Sequence, residues 1–120
     1  FSIYILDLTL DWIKSKGGLA GMQKINDEKA RILYDAIDSS GGYYNNPVDK
    51  ADRSKMNVVF RLKSEELEEK FVKESKAAGI IGVKGHRSVG GIRFSIYNAN
   101  LVENVQKSVD FMKDFQKRNG

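Results

Sequence analysis

The chain has 120 residues, 41% of them hydrophobic and 30% charged, an ordinary composition for one soluble domain. With no cysteine and one histidine, disulfides and thiolate zinc sites are excluded and a histidine-based metal site lacks its usual ligand set. The net charge of +4 is a mild excess that favours an anionic partner only weakly and does not by itself indicate nucleic acid. No apolar run approaches the ~20 residues of a membrane span. The opening "FSIYILDLTLDWIK" carries no basic leader and no small-residue cleavage site, so no signal peptide is expected. It begins already apolar, as a piece cut from a longer chain would. A cytoplasmic setting is the expectation, with an organellar form left open.

Residues 1–16 fit two templates. Leu6, Leu8, Leu10 and Trp12 alternate with polar residues as in a strand, while Phe1, Ile5, Leu8 and Trp12 fall near one helical stripe that runs into Gly17-Gly18. Residues 18–39 read as a helix, with Met22, Ile25, Leu33, Ala36 and Ile37 as the apolar stripe and Lys24, Glu28, Lys29 and Arg31 on the wet side. "DSSGG" ends it, and residues 43–54 are a loop rich in Asn, Asp and Ser. Residues 55–62 read as a strand with Met56, Val58, Phe60 and Leu62 on one face.

Ser64 caps the next helix, with Glu65 and Glu66 in its first turn, Leu67, Phe71 and Ala78 on its buried side and Gly79 as its stop. "IIGV" at 80–83 reads as a short buried strand. Residues 91–97 read as a second strand with Ile92, Phe94 and Ile96 opposite Arg93, Ser95 and Tyr97. The tight glycine-rich link between these two strands favours an antiparallel hairpin. The last helix runs over about 101–117, with Leu101, Val105, Val109, Met112 and Phe115 inward. The expected fold is α/β in the two-layer, α+β sense: a small mixed or antiparallel sheet covered on one face by helices.

The chemistry concentrates in "KGHRSVGGIRFSIYN", residues 84–98. Arginine recognises carboxylate or phosphate through a planar fork, and glycines let backbone N–H groups approach an anion. Arg87 in the turn and Arg93 on the strand both reach the same end of the sheet, and His86 adds a donor. Bland readings stand beside this: a solvated histidine, an Arg93 that snorkels or pairs with a helix carboxylate, and a glycine pair that only shapes a turn. "VGG" lacks the Gly-Lys-Ser/Thr ending of a phosphate loop and the strand–glycines–helix context of a dinucleotide fingerprint. Arg53 and Lys55 read as a polar loop with a salt bridge. Tyr43, Tyr44 and Tyr97 read as core or sheet-face tyrosines, since the aromatic strand motif of RNA-binding sheets is absent. On residues alone, a stand-alone basic module that binds anions or nucleic acid, or a regulatory amino-acid-binding domain, remains an alternative.

"KGHRSVGGIRFSIYNA" closely resembles the C-terminal signature of the phosphoserine aminotransferase family. "FSIYILDLTLDWIKSKGGLAGMQKIN", "NPVDKADRSKMNVVFRL" and "VQKSVDFMKDFQKRNG" are similar to further parts of it, in order, over essentially the whole chain. The resemblance favours a helix for the first segment. It implies the C-terminal small domain of a type I aminotransferase, with residues 1–17 as the helix leaving an absent large domain and 18–120 as the substrate-binding domain of a homodimer. The implied reaction moves an amino group between glutamate and 3-phosphohydroxypyruvate, giving phosphoserine and 2-oxoglutarate in serine biosynthesis, with pyridoxal phosphate as carrier. By that resemblance Arg93 binds the substrate carboxylate and His86 with Arg87 its phosphate. The Schiff-base lysine and the cofactor contacts fall upstream of Phe1, so no catalytic, cofactor or metal residue is assigned here and the piece alone is expected to be inactive. No nucleic-acid or membrane partner is expected. Phe94 departs from the family, which usually has a small residue there.

Overall fold

The computed structural model describes residues 1–120. Four helices and two strands follow one another as α1 (Ser2–Ser15), α2 (Gly18–Asp38), β1 (Asn57–Phe60), α3 (Glu65–Ala77), β2 (Ile92–Ser95) and α4 (Val102–Asn119), with one 3₁₀ turn at Lys50–Asp52. No helix is long and apolar enough to cross a membrane.

β1 and β2 are antiparallel neighbours, with Val58 opposite Phe94 and Phe60 opposite Ile92. In an antiparallel pair directly opposed residues share a face, so all four side chains point the same way, and all four are buried. Leu33 and Ile37 of α2, Phe71 of α3, and Val105, Val109, Met112 and Phe115 of α4 cover that face. Phe71 is fully buried and sits edge-on to Tyr44, Phe60, Phe94 and Phe115, an arrangement that suits the charge distribution of aromatic rings. Tyr44 is also buried, and its hydroxyl donates to the Met112 carbonyl at 2.8 Å. The α+β class and the one-sided helical cover are therefore as expected, and α1 resolves as a helix. Ser64 caps α3 by accepting from the Leu67 N–H.

Several expectations need correction. Residues 80–83 do not form a strand. Gly82 takes φ of +74°, outside the extended region, Ile81 is 76% exposed, and only Val83 of the four is buried. What survives of the hairpin is a single antiparallel bridge between Lys84 and Ile92, on the edge of β2 opposite β1, because the positive φ of Gly82 turns the chain away before a ladder can extend. Leu101 precedes α4 and is exposed rather than inward. Ala78 is exposed beyond the end of α3, and Ser75 takes the buried place. Tyr97 is exposed and belongs to no core.

The largest correction is Lys29, expected on the wet side and in fact fully buried. Its Nζ donates to the carbonyls of Ile96, Tyr97 and Asn100 at 3.2, 2.8 and 3.0 Å. All three ammonium protons are used, which is what allows a cation to be buried without a carboxylate. Beside it the buried Asn26 donates to Asn98 at 2.8 Å. Together they tie the segment after β2 to α2. By contrast α1 buries none of its residues, and Phe1, Ile3, Tyr4, Leu6, Leu8 and Leu10 are all exposed.

Candidate functional site

The turn between Lys84 and Gly91 is built by its own backbone. The Gly85 N–H donates to the Gly91 carbonyl at 2.8 Å, and the His86 carbonyl accepts from Val89 and Gly90 at 3.0 and 2.7 Å. A Cβ on Gly85 would fall 2.0 Å from the Gly90 oxygen, and one on Gly91, whose φ is +73°, would fall 2.6 Å from Arg61 Cδ. Neither position accepts a side chain without moving the turn.

His86 and Arg87 lie exposed on this turn. The Ser88 N–H points at His86 Nδ1 at 3.3 Å and the Ser88 hydroxyl lies 2.7 Å from the same nitrogen. With Nδ1 accepting, the ring proton of the neutral imidazole is on Nε2, free for a ligand. The turn and α3 border an open cleft of about 670 Å³ whose lining includes Lys73, Lys76, Lys84, His86 and Arg87 along with Glu65, Glu68 and Glu69.

Arg93 leaves β2 on the face away from the core and is half-buried. Its Nε is buried and has no hydrogen-bond partner. It borders a second cavity of about 600 Å³, shared with Asn100, Asn104 and Lys107. The fold thus brings His86 and Arg87 together on one cavity and sets Arg93 on another, on successive stretches of the same chain.

The six arginines of the chain divide cleanly. Arg31 pairs with Glu28 and Asp35, Arg53 with Asp38, Arg61 with Glu68, and Arg118 with Glu74 and Asp114. Arg87 and Arg93 have no carboxylate within 4.0 Å and donate no side-chain hydrogen bond. A half-buried guanidinium with an unmet N–H is costly unless an anion completes it. Arg53 behaves as its bland reading expected: its fork meets both oxygens of Asp38 at 2.8 and 2.9 Å, and it lies 4.7 Å over the Tyr34 ring. That fork holds the Asp38 carboxyl below the usual range. No three His, Asp or Glu side chains converge as metal ligands would.

Two residues of this region escape a reading by composition. Glu68 lies in a charged run yet is buried, and it accepts from Arg61 Nε at 2.7 Å and from the Leu62 N–H at 3.1 Å. Its signal was spacing: Glu68, Phe71 and Ser75 lie three and four residues apart, on one helical face. Arg61, just past β1, leans on the glycine turn and donates to the Val89 carbonyl at 3.1 Å.

Comparison with known proteins places the chain in a family. The family described as aminotransferase class-V matches residues 1–107, and the chain belongs to it. Phosphoserine aminotransferase of Niallia circulans is 52% identical over all 120 residues, which make up 33% of that protein. A solved phosphoserine aminotransferase from Bacillus circulans subsp. alkalophilus superposes with a TM-score of 0.98 at 52% identity, covering 100% of this chain and 33% of that one. A PLP-bound phosphoserine aminotransferase from Trichomonas vaginalis superposes with a TM-score of 0.80 at 40% identity over 86% of this chain and 30% of its own. The chain therefore spans about a third of the length of the relatives it matches.

Proposed function

We propose that these 120 residues are the C-terminal substrate-binding part of a phosphoserine aminotransferase. In this reading residues 1–17 link a large domain to a small domain formed by 18–120, and the whole chain works as a homodimer. The reaction is reversible transfer of an amino group between glutamate and 3-phosphohydroxypyruvate, giving 2-oxoglutarate and phosphoserine. Arg93 holds the α-carboxylate of the amino or keto acid. His86 and Arg87 hold the phosphate. The observation that carries the assignment is the pairing of the arginines: four of six are neutralised by carboxylates of this chain, and Arg87 and Arg93 are left to a ligand. A planar fork suits a carboxylate, and a neutral imidazole N–H beside a guanidinium suits a phosphate.

The exposed apolar side chains of α1 support a covered position for that helix in the whole protein, since a contiguous apolar surface of this kind is normally an interface. Pyridoxal phosphate is the cofactor this reading implies, and the residues present do not fit a site for it. A lysine that bonds the cofactor needs a free amine, whereas Lys29, the only buried lysine, has its Nζ on three carbonyl oxygens. The cofactor site is assigned to the part of the protein outside these residues.

The test is steady-state kinetics of the full-length protein with each of these side chains removed. Arg93→Ala is expected to lower kcat/KM for both glutamate and phosphoserine by about a hundredfold, the scale of a lost charge-assisted fork. His86→Ala and Arg87→Ala are expected to raise KM for phosphoserine more than for glutamate. Unchanged turnover in Arg93→Ala, or equal losses on both substrates in the other two, would remove the corresponding role.

A further inference from the structure

We infer that Arg61 and Glu68 are positioning residues for the His86–Arg87 turn, an inference that rests on the phosphate role proposed above. Arg61 meets Glu68 on one side and Val89, Gly90 and Gly91 of the turn on the other. Glu68, buried at 7% exposure, holds Arg61 Nε at 2.7 Å. The same carboxylate oxygen takes the Leu62 N–H at 3.1 Å, which locks the acid to the end of β1. Arg61 Nη1 donates to the Val89 carbonyl at 3.1 Å. The Arg61 stem and head lie along Gly90 and Gly91, so closely that a Cβ on Gly91 would meet Cδ at 2.6 Å.

Val89 and Gly90 in turn donate to the His86 carbonyl. A continuous path of hydrogen bonds thus runs from the body of α3, through Glu68 and Arg61, to the residue that offers Nε2 to the phosphate. The turn has little else to hold it. Residues 86–90 are exposed and bury no apolar side chain, and beyond Lys84 its tie to the sheet is a single bridge. Loops with few buried contacts open at low free energy, and a phosphate site needs its donors held within a fraction of an ångström. Because Arg61 is already neutralised by Glu68, it is poorly placed to bind the anion itself. Its part is to set where His86 and Arg87 stand.

The experiment uses Arg61→Ala in the full-length protein, with two readouts. Hydrogen exchange of the Val89 and Gly90 amides should become faster, and KM for phosphoserine should rise about tenfold, the scale of one charged hydrogen bond, with kcat and the KM for glutamate changed much less. Combined with Arg87→Ala, the effects on KM for phosphoserine should be less than additive, since a displaced turn has already spoiled the Arg87 contact. If Arg61→Ala does not accumulate in folded form, Arg61→Lys serves: its point charge can face Glu68 or Val89 but not both, and it should shift the same two quantities by a smaller factor. Wild-type amide exchange with an unchanged KM for phosphoserine overturns the inference. So does a parallel loss on both substrates that follows only a lowered melting temperature, which would mark a merely structural pair. The two proposals fail separately. Without phosphate selectivity in the His86→Ala and Arg87→Ala variants the phosphate reading falls and the substrate role of the turn with it. With that selectivity intact, unaltered exchange and KM in Arg61→Ala strike the positioning role alone.

Discussion

Arg93 and Phe94 leave β2 on opposite faces: Phe94 stacks on Phe60 with ring centroids 5.9 Å apart and is 5% exposed, while Arg93 borders the outer cavity. Phe94 is therefore a core residue, and the pleat of the strand separates it from the guanidinium beside it.

Phe94→Ala should accordingly be a stability variant. Loss of a buried phenylalanine opens a cavity worth about 3–5 kcal/mol. Denaturant unfolding of the full-length protein should show that loss, while the KM for glutamate in the folded enzyme stays near wild type. A large KM change without loss of stability would mean that Phe94 shapes the ligand side of the strand instead.

Lys29→Met should destabilise by about 2–4 kcal/mol, since it leaves the carbonyls of Ile96, Tyr97 and Asn100 without their donor. The pH dependence has a definite sign. Burial pushes the Lys29 ammonium below the ordinary lysine value of 10.5, so between the lowered folded value and 10.5 the unfolded chain binds more protons than the folded one. Wild-type stability should gain relative to Lys29→Met as pH rises through that window and run parallel to it at lower pH. An opposite slope in paired unfolding curves would refute the assignment.

Asp38 works in the other direction. Arg53 holds its carboxyl below the ordinary aspartate value of 3.8, so the pair stabilises the fold above that value and its contribution is lost as pH falls through the lowered one. The Asp38 side chain is 36% exposed, and solvent screening limits the effect to under about 1 kcal/mol. Arg53→Met should flatten this part of the acid limb of a stability–pH curve, and identical limbs in the two proteins would contradict it.

Gly91→Ala should disturb the turn more than the sheet. The new methyl would sit 2.6 Å from Arg61 Cδ at a φ of +73°, so either Arg61 or the turn has to move. The expected result is a raised KM for phosphoserine with β1 and β2 still paired, read from kinetics together with amide exchange across Asn57–Phe60 and Ile92–Ser95.

Much of the helical framework was legible because amphipathic periodicity is a local property. Val105, Val109, Met112 and Phe115 repeat at helical spacing and are all buried; Val58, Phe60, Ile92 and Phe94 alternate and all face the helices. Lys29 departs from its expected wet-side place for a physical reason. A reading by polarity sends charges outward, yet Met22, Asn26, Lys29, Leu33 and Ile37 stand at intervals of four, three, four and four, a single helical face that is buried throughout. Spacing carried the answer, and polarity hid it because the partners of Lys29 are backbone carbonyls some seventy residues away. The pairing of strands escaped for a different reason. Short loops favour neighbours in sequence, but the positive φ of Gly82 breaks the 80–83 segment, so only Lys84 bridges Ile92 on one edge of β2 while β1 holds the full ladder on the other.

For the site, the residue types and their spacing by themselves raised an anion-holding reading of residues 84–98 and left bland ones beside it, since arginine forks, a histidine and glycines can hold an anion but serve equally as solvated side chains and turn formers. The tertiary structure decided which arginines are free. Charge neutralisation depends on which carboxylates the packed helices bring within 4.0 Å, and that is a matter of three-dimensional distance that no position along the chain encodes.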